Sequence, residues 1–128
     1  MKFITNVGLG AIATFAMASV GGVAFAGDAA NGEKDFKKYC LACHNTPDQD
    51  KSKIGPSLHG VVGRHVAAYP GFAYSNALKE KDWTWDEAHL DTWLTKPSTM
   101  VPGTKMSFNG TQKSEERADL IAYLAANK

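Results

Sequence analysis

The sequence predicts a small all-α fold of three main helices, with short helices and loops between them. Three observations support it. Apolar residues recur at helical spacing near Phe36, around Leu90 and around Leu120. Apart from a short candidate strand at Val61-Val62, nothing alternates with the period of two expected of a half-buried strand. The third is the stretch Cys40-Leu41-Ala42-Cys43-His44, which holds both cysteines of the chain. Two cysteines at that spacing, followed at once by histidine, form a haem-attachment pattern. The helices and loops are therefore expected to wrap around one covalent haem.

The spacing has a physical reason. Cysteines at i and i+3 on a helical turn point the same way, so both sulfurs can reach the two vinyl groups on one porphyrin edge. His44 is then held under the ring with a nitrogen toward the iron. Two other readings of the pair are a redox-active disulfide and half of a zinc site. The first asks for a β-α-β setting, and no run resembles its buried strands. The second asks for further ligands and more cysteines. Haem is the reading adopted.

The first residues carry the layout of a secretory leader. Lys2 gives a short positive start, Val7 to Val20 is apolar and small, and Ala24-Phe25-Ala26 offers a cleavage site. The expectation is a leader over 1–26, cut after Ala26, and one domain over 27–128. An uncleaved anchor is the alternative, but polar residues and Gly21-Gly22 interrupt a run already short for the roughly 20 apolar residues of a membrane span. A domain of about 100 residues is small for a core made of side chains alone, and a buried apolar cofactor would enlarge it. Without Lys2 the chain has 13 Lys and Arg against 13 Asp and Glu. This balance gives no indication of nucleic acid, and any charge-guided partner must be met by local patches.

Asp28 can cap a helix beginning at Ala29, with Glu33 and Asp35 toward the positive end of its dipole. Gly32, Phe36, Tyr39 and Cys40 make the apolar stripe that leads into the cysteine motif. The polar run Asn45 to Lys53 reads as a surface loop. In Gly55 to Arg64, glycine and proline interleave with apolar groups, as in backbone packed against something flat. Arg64 can neutralise a haem propionate or remain solvated. Tyr69-Pro70-Gly71-Phe72 reads as a turn, and Ser75 can cap a short helix through Lys79. Thr84 and Glu87 have capping-box spacing, predicting a helix from Trp85 that buries Leu90, Trp93 and Leu94 and ends at Pro97. Pro97 to Gly110 is long and irregular, yet Met100, Met106 and Phe108 argue against disorder. It could swing a thioether across the haem. Ser114 is expected to cap a last helix through about Ala126, burying Leu120, Tyr123 and Leu124. His59, His65 and His89 are assigned roles on the surface or in the backbone-rich loop.

Taken together these blocks resemble class I cytochrome c, of the mitochondrial cytochrome c and bacterial cytochrome c2 type. The resemblance spans nearly all of 27–128. It rests on Gly32 and Phe36, Cys40 to His44, Gly55 to Gly60, Gly63-Arg64, Pro70 to Tyr74, Thr84-Trp85, Pro102 to Met106 and Glu116 to Leu124. It implies the small cytochrome c fold and a specific set of roles. Cys40 and Cys43 would carry the thioethers of one haem c, with His44 the proximal ligand and Met106 the distal one. Pro56 would offer its carbonyl to the other ring nitrogen of His44, and Arg64, Tyr74 and Trp85 would contact the propionates. Thr104 would support the buried propionate side, and Phe108 would cover the haem near Met106. Two positions depart from the pattern: Trp93 stands where a tyrosine usually lies beside the sulfur, and Leu78 where asparagine is common. Met100 is the rival to Met106, but only Met106 follows Pro-Gly-Thr-Lys, which leaves Met100 as core filling.

With both axial positions filled, the iron would exchange electrons and bind no substrate. The resemblance thus implies a one-electron carrier and no catalysis, exported to the periplasm as a monomer. Its donor would be a membrane quinol-oxidising complex of the cytochrome bc1 kind. Its acceptor would be an oxidase, a photosynthetic reaction centre or a reductase. Lys34, Lys53, Lys105 and Lys113 match positions that ring the docking edge. A haem peroxidase or ligand-binding haem protein, with a labile sixth ligand, is the alternative.

Overall fold

The computed structural model describes residues 25–128. The expected leader therefore lies almost wholly outside the described residues. Among them no helix is long and apolar enough to cross a membrane. Five helices follow one another: α1 Ala29–Tyr39, α2 Asn76–Lys79, α3 Glu87–Thr95, α4 Pro97–Met100 and α5 Ser114–Ala125. Three are long and two are single turns, and no strand forms among the described residues.

The frame is the crossing of α1 and α5. Asp28 starts α1 by accepting hydrogen bonds from the backbone N–H groups of Ala30 and Asn31, and its own N–H donates to Asp119 Oδ1 at 2.7 Å. Gly32 lies at the contact. A Cβ there would run into the carbonyl oxygen of Asp119 and sit 2.8 Å from Tyr123 Cβ. The bare backbone lets the helices approach, and Phe36 then packs edge-on against Tyr123, ring centroids 5.5 Å apart. Phe36 and Leu120 are both 1% exposed, at the base of a core that also takes Val61, Leu90, Leu94 and Leu124.

The start of α3 differs from the capping-box expectation. Asp86, not Thr84, caps it, with Oδ1 accepting from His89 N at 2.8 Å. Thr84 is engaged elsewhere, in an antiparallel bridge to His65. There Trp85 N–H donates to Arg64 O and Val66 N–H to Trp83 O, both at 2.8 Å. Among the described residues that is the only isolated β-bridge, and next to the candidate strand Gly63 N–H donates to Trp85 O at 2.9 Å. Val61 itself is buried in irregular backbone.

The last helix corrects a second capping assignment. Ser114 is its first helical residue and Lys113 holds the cap position without a side-chain bond. Thr111 does the work: Oγ1 accepts from Lys113 N and donates to Glu116 Oε2 at 2.8 Å. The stretch after Pro97 is less irregular than expected, because proline opens α4, where its missing N–H costs nothing. All three tryptophans touch in a row. Trp83 meets Trp85 at 5.8 Å and Trp85 meets Trp93 at 5.3 Å between centroids. His89 lies flat on Trp83 at 5.3 Å. Trp83 Nε1 is buried and has no hydrogen-bond partner among the described residues.

Candidate functional site

The helices and loops enclose a cavity of about 290 Å³. The end of α1 supplies one wall. Beyond Tyr39 the chain keeps turning, with Cys43 N–H donating to Cys40 O at 3.0 Å and His44 N–H to the same oxygen at 2.9 Å. That turn brings both thiols and the imidazole of His44 to the cavity. The cysteines are free and half-buried. Burial, then the neighbouring Cys43, pushes the Cys40 thiol up to about 12. Thiol–disulfide exchange is carried by the thiolate, so Cys40 is poorly suited to be the attacking thiol.

His44 is 7% exposed. Its Nδ1–H donates to the carbonyl of Pro56 at 2.9 Å, which fixes the tautomer and leaves Nε2 as a bare lone pair. Burial lowers its pKa, partly offset by that hydrogen bond, so the ring is neutral at neutral pH. Gly55 backs the imidazole: a Cβ there would lie 2.7 Å from its Nδ1 and collide with Cε1. Gly55 N–H also donates to Cys43 O at 2.7 Å. The 55–56 backbone is thus a rest against which the ring is held.

Met106 reaches the same cavity from the irregular loop after α4, along with Thr104 and Phe108. Thr104 Oγ1 accepts from Met106 N at 3.4 Å. Phe108 packs on Tyr39, ring centroids 5.7 Å apart. Met100 does not line the cavity and packs against the core instead. Arg64, Tyr74, Trp85 and Trp93 complete the polar and aromatic wall. Arg64 donates to the carbonyls of Ser57 at 2.8 Å and His59 at 2.5 Å and covers the Tyr69 ring. Tyr74 OH accepts from Tyr69 N at 3.1 Å.

Every residue assigned to cofactor or metal contact from the sequence therefore borders one cavity. His59, His65 and His89 do not border it; they bond Pro47 O, Asp82 and Asp86 respectively. The apolar wall of Leu58, Val61, Leu78, Leu94 and Leu124 was not assigned to the site from the sequence. The helical stripes could have revealed the leucines of α3 and α5. No local signal distinguishes a leucine facing a cofactor from one facing another side chain.

The donor set fits a haem. One imidazole nitrogen and one thioether, the pair that suits iron in a c-type haem, share a mostly apolar cavity with two thiols that could bond the porphyrin edge. No cluster of three or more histidine, cysteine or acidic side chains that could hold a metal occurs among the described residues.

Comparison with known proteins agrees. The family model for cytochrome c matches residues 29–128. Cytochrome c type-1 of Ascaris suum is 48% identical over 98 residues, covering 77% of this chain and 87% of that protein. Cytochrome c2 of Rhodomicrobium vannielii is 47% identical over 100 residues, covering 78% of this chain and 79% of that protein. Among solved structures, cytochrome cH from Methylobacterium extorquens superposes with a TM-score of 0.73 at 48% identity, over 78% of this chain and 99% of that one.

Proposed function

Since the chain belongs to the cytochrome c family, an electron carrier rather than an enzyme with one haem c bound through Cys40 and Cys43, we propose that it works in the periplasm. It accepts single electrons from a quinol-oxidising membrane complex and passes them to an oxidase, reaction centre or reductase. In this reading residues 1–26 are a leader removed after Ala26, and 27–128 act as a monomer. His44 and Met106 would hold the iron, through an imidazole nitrogen and a thioether sulfur. What supports the reading is one fact of geometry: His44 and Met106 line one cavity together with both cysteines.

The bound haem supplies an iron that gains or loses one electron. The protein's own part is to hold the surroundings still. Pro56 and Gly55 keep the His44 imidazole in one tautomer and one orientation. Thr104 steadies the backbone of Met106. The buried indoles of Trp85 and Trp93 and the leucines around them keep water from the cavity. Arg64 and Tyr74 are the groups for the propionates, and Phe108 closes the side next to Met106.

A visible spectrum with a pyridine haemochrome assay tests this. Covalent haem, no loss of pigment to acidified organic solvent, and no carbon monoxide binding to the reduced native protein are expected. Pigment that extracts freely, or prompt carbon monoxide binding, would end the carrier reading.

A further inference from the structure

The residues on either side of the proposed cleavage bond are packed, not loose. Phe25 lies against the core, and with Ala122, Ala125, Ala126 and Lys128 it lines a hollow beside the end of α5. Gly27 presses on the same helix nearer its start: a Cβ there would run into the Ala118 carbonyl. The next N–H, of Asp28, donates to Asp119 Oδ1 at 2.7 Å. The backbone before and after the Ala26–Gly27 bond is therefore fastened to α5, although Ala26 itself is exposed. The haem site does not account for this contact, because neither Phe25 nor Gly27 borders its cavity.

Resting on the leader reading, we infer that folding hides the cleavage bond: once α1 and α5 dock, a signal peptidase reaches Ala26–Gly27 only rarely, and a chain that folds first keeps its leader. A protein that binds a peptide along its backbone takes it as extended chain, and cleavage of a packed segment waits for that segment to open. Here opening means lifting Phe25 from its hollow and breaking the bond between Asp28 and Asp119. The timing follows from the order of the chain. Asp119 lies 91 residues after Asp28, so the emerging chain presents the bond with nothing yet to pack it against. Only the arrival of α5 closes it, and glycine at 27 lets the two backbones come close enough to do so.

Two measurements with one signal peptidase test this. In the first, the full chain is synthesised in vitro beside membrane vesicles that carry the peptidase, and mass spectrometry reads the new N-terminus. Cleavage after Ala26 is expected for the native chain, and equally for Phe25→Ser and Gly27→Ala. In the second, the haem-loaded full chain, leader attached, is offered the same peptidase in detergent. Phe25→Ser should be cut at least about tenfold faster than the native chain. Gly27→Ala, whose methyl would meet the Ala118 carbonyl, should also be cut faster. Equal rates for the folded native and Phe25→Ser chains overturn the inference, whether both are fast or slow. A gain that appears equally in both measurements overturns it too. If the native chain stays whole as it is made, the leader reading itself fails, and the inference with it.

Discussion

Tyr69 donates its hydroxyl to Asp50 Oδ1 at 2.9 Å, and Ser57 Oγ donates to the same oxygen at 3.0 Å. The bond joins the loop after the attachment turn to the loop that carries Arg64, whose guanidinium lies 5.0 Å above the Tyr69 ring. One carboxylate thus ties two irregular segments beside the cavity.

The bond sets a pH dependence. Tyr69 first and Ser57 second hold the Asp50 carboxyl below its usual 3.8. Its contribution is therefore present above the unfolded value and lost as pH falls through the depressed folded one. Tyr69→Phe should flatten the loss of stability as pH falls from about 4 through the depressed folded value, relative to the native chain. Thermal unfolding across that range checks it; curves that stay parallel would remove the role.

Gly32→Ala sets two effects against each other. Alanine gains about 1 kcal/mol of helix propensity over glycine. Here its methyl would meet the Asp119 carbonyl and Tyr123 Cβ, backbone and a packed side chain that cannot swing aside. Overpacking of that kind costs about 1–3 kcal/mol, so the variant should be less stable on balance. Denaturant unfolding measures the sign directly.

Trp83→Phe should be unusually mild. The indole loses contact area, yet the variant also removes a buried N–H without a partner. Leaving such a donor unsatisfied costs about 1–3 kcal/mol, comparable to the lost packing, so the net change should stay within about 1 kcal/mol. Trp93→Phe lacks that offset and should cost more. Equal losses at the two positions would show that Trp83 Nε1 finds a partner in solution.

With Met106 as second axial ligand, Met106→Ala should abolish the long-wavelength band of the sulfur–iron(III) bond and open the reduced protein to carbon monoxide. Met100→Leu should keep the band, because Met100 packs in the core away from the cavity. Absorbance spectra of the two variants decide between the methionines.

Most of this arrangement was legible in the residues, and the failures have local causes. Phe36, Leu90 and Leu120 lie on helical stripes whose period survives any tertiary context, so the three long helices could be read directly. Caps were harder. Thr84 and Glu87 have the spacing of a capping box, but the Trp85 N–H is used by Arg64 O, a partner distant in sequence that no local pattern reveals. Thr111 replaced Ser114 because its hydroxyl can serve Lys113 N and Glu116 together. Cys40 and His44 announced the site by spacing alone. The apolar wall from Leu58 to Leu124 did not, since its members come together only after the chain has folded.

The row of touching indoles makes the protein its own optical gauge. Trp85 and Trp93 border the cavity and Trp83 is one contact behind them, so light absorbed by any of the three drains into the pigment they enclose. The intact molecule should be nearly dark, and a rise in emission would time the moment its wrapping lets go.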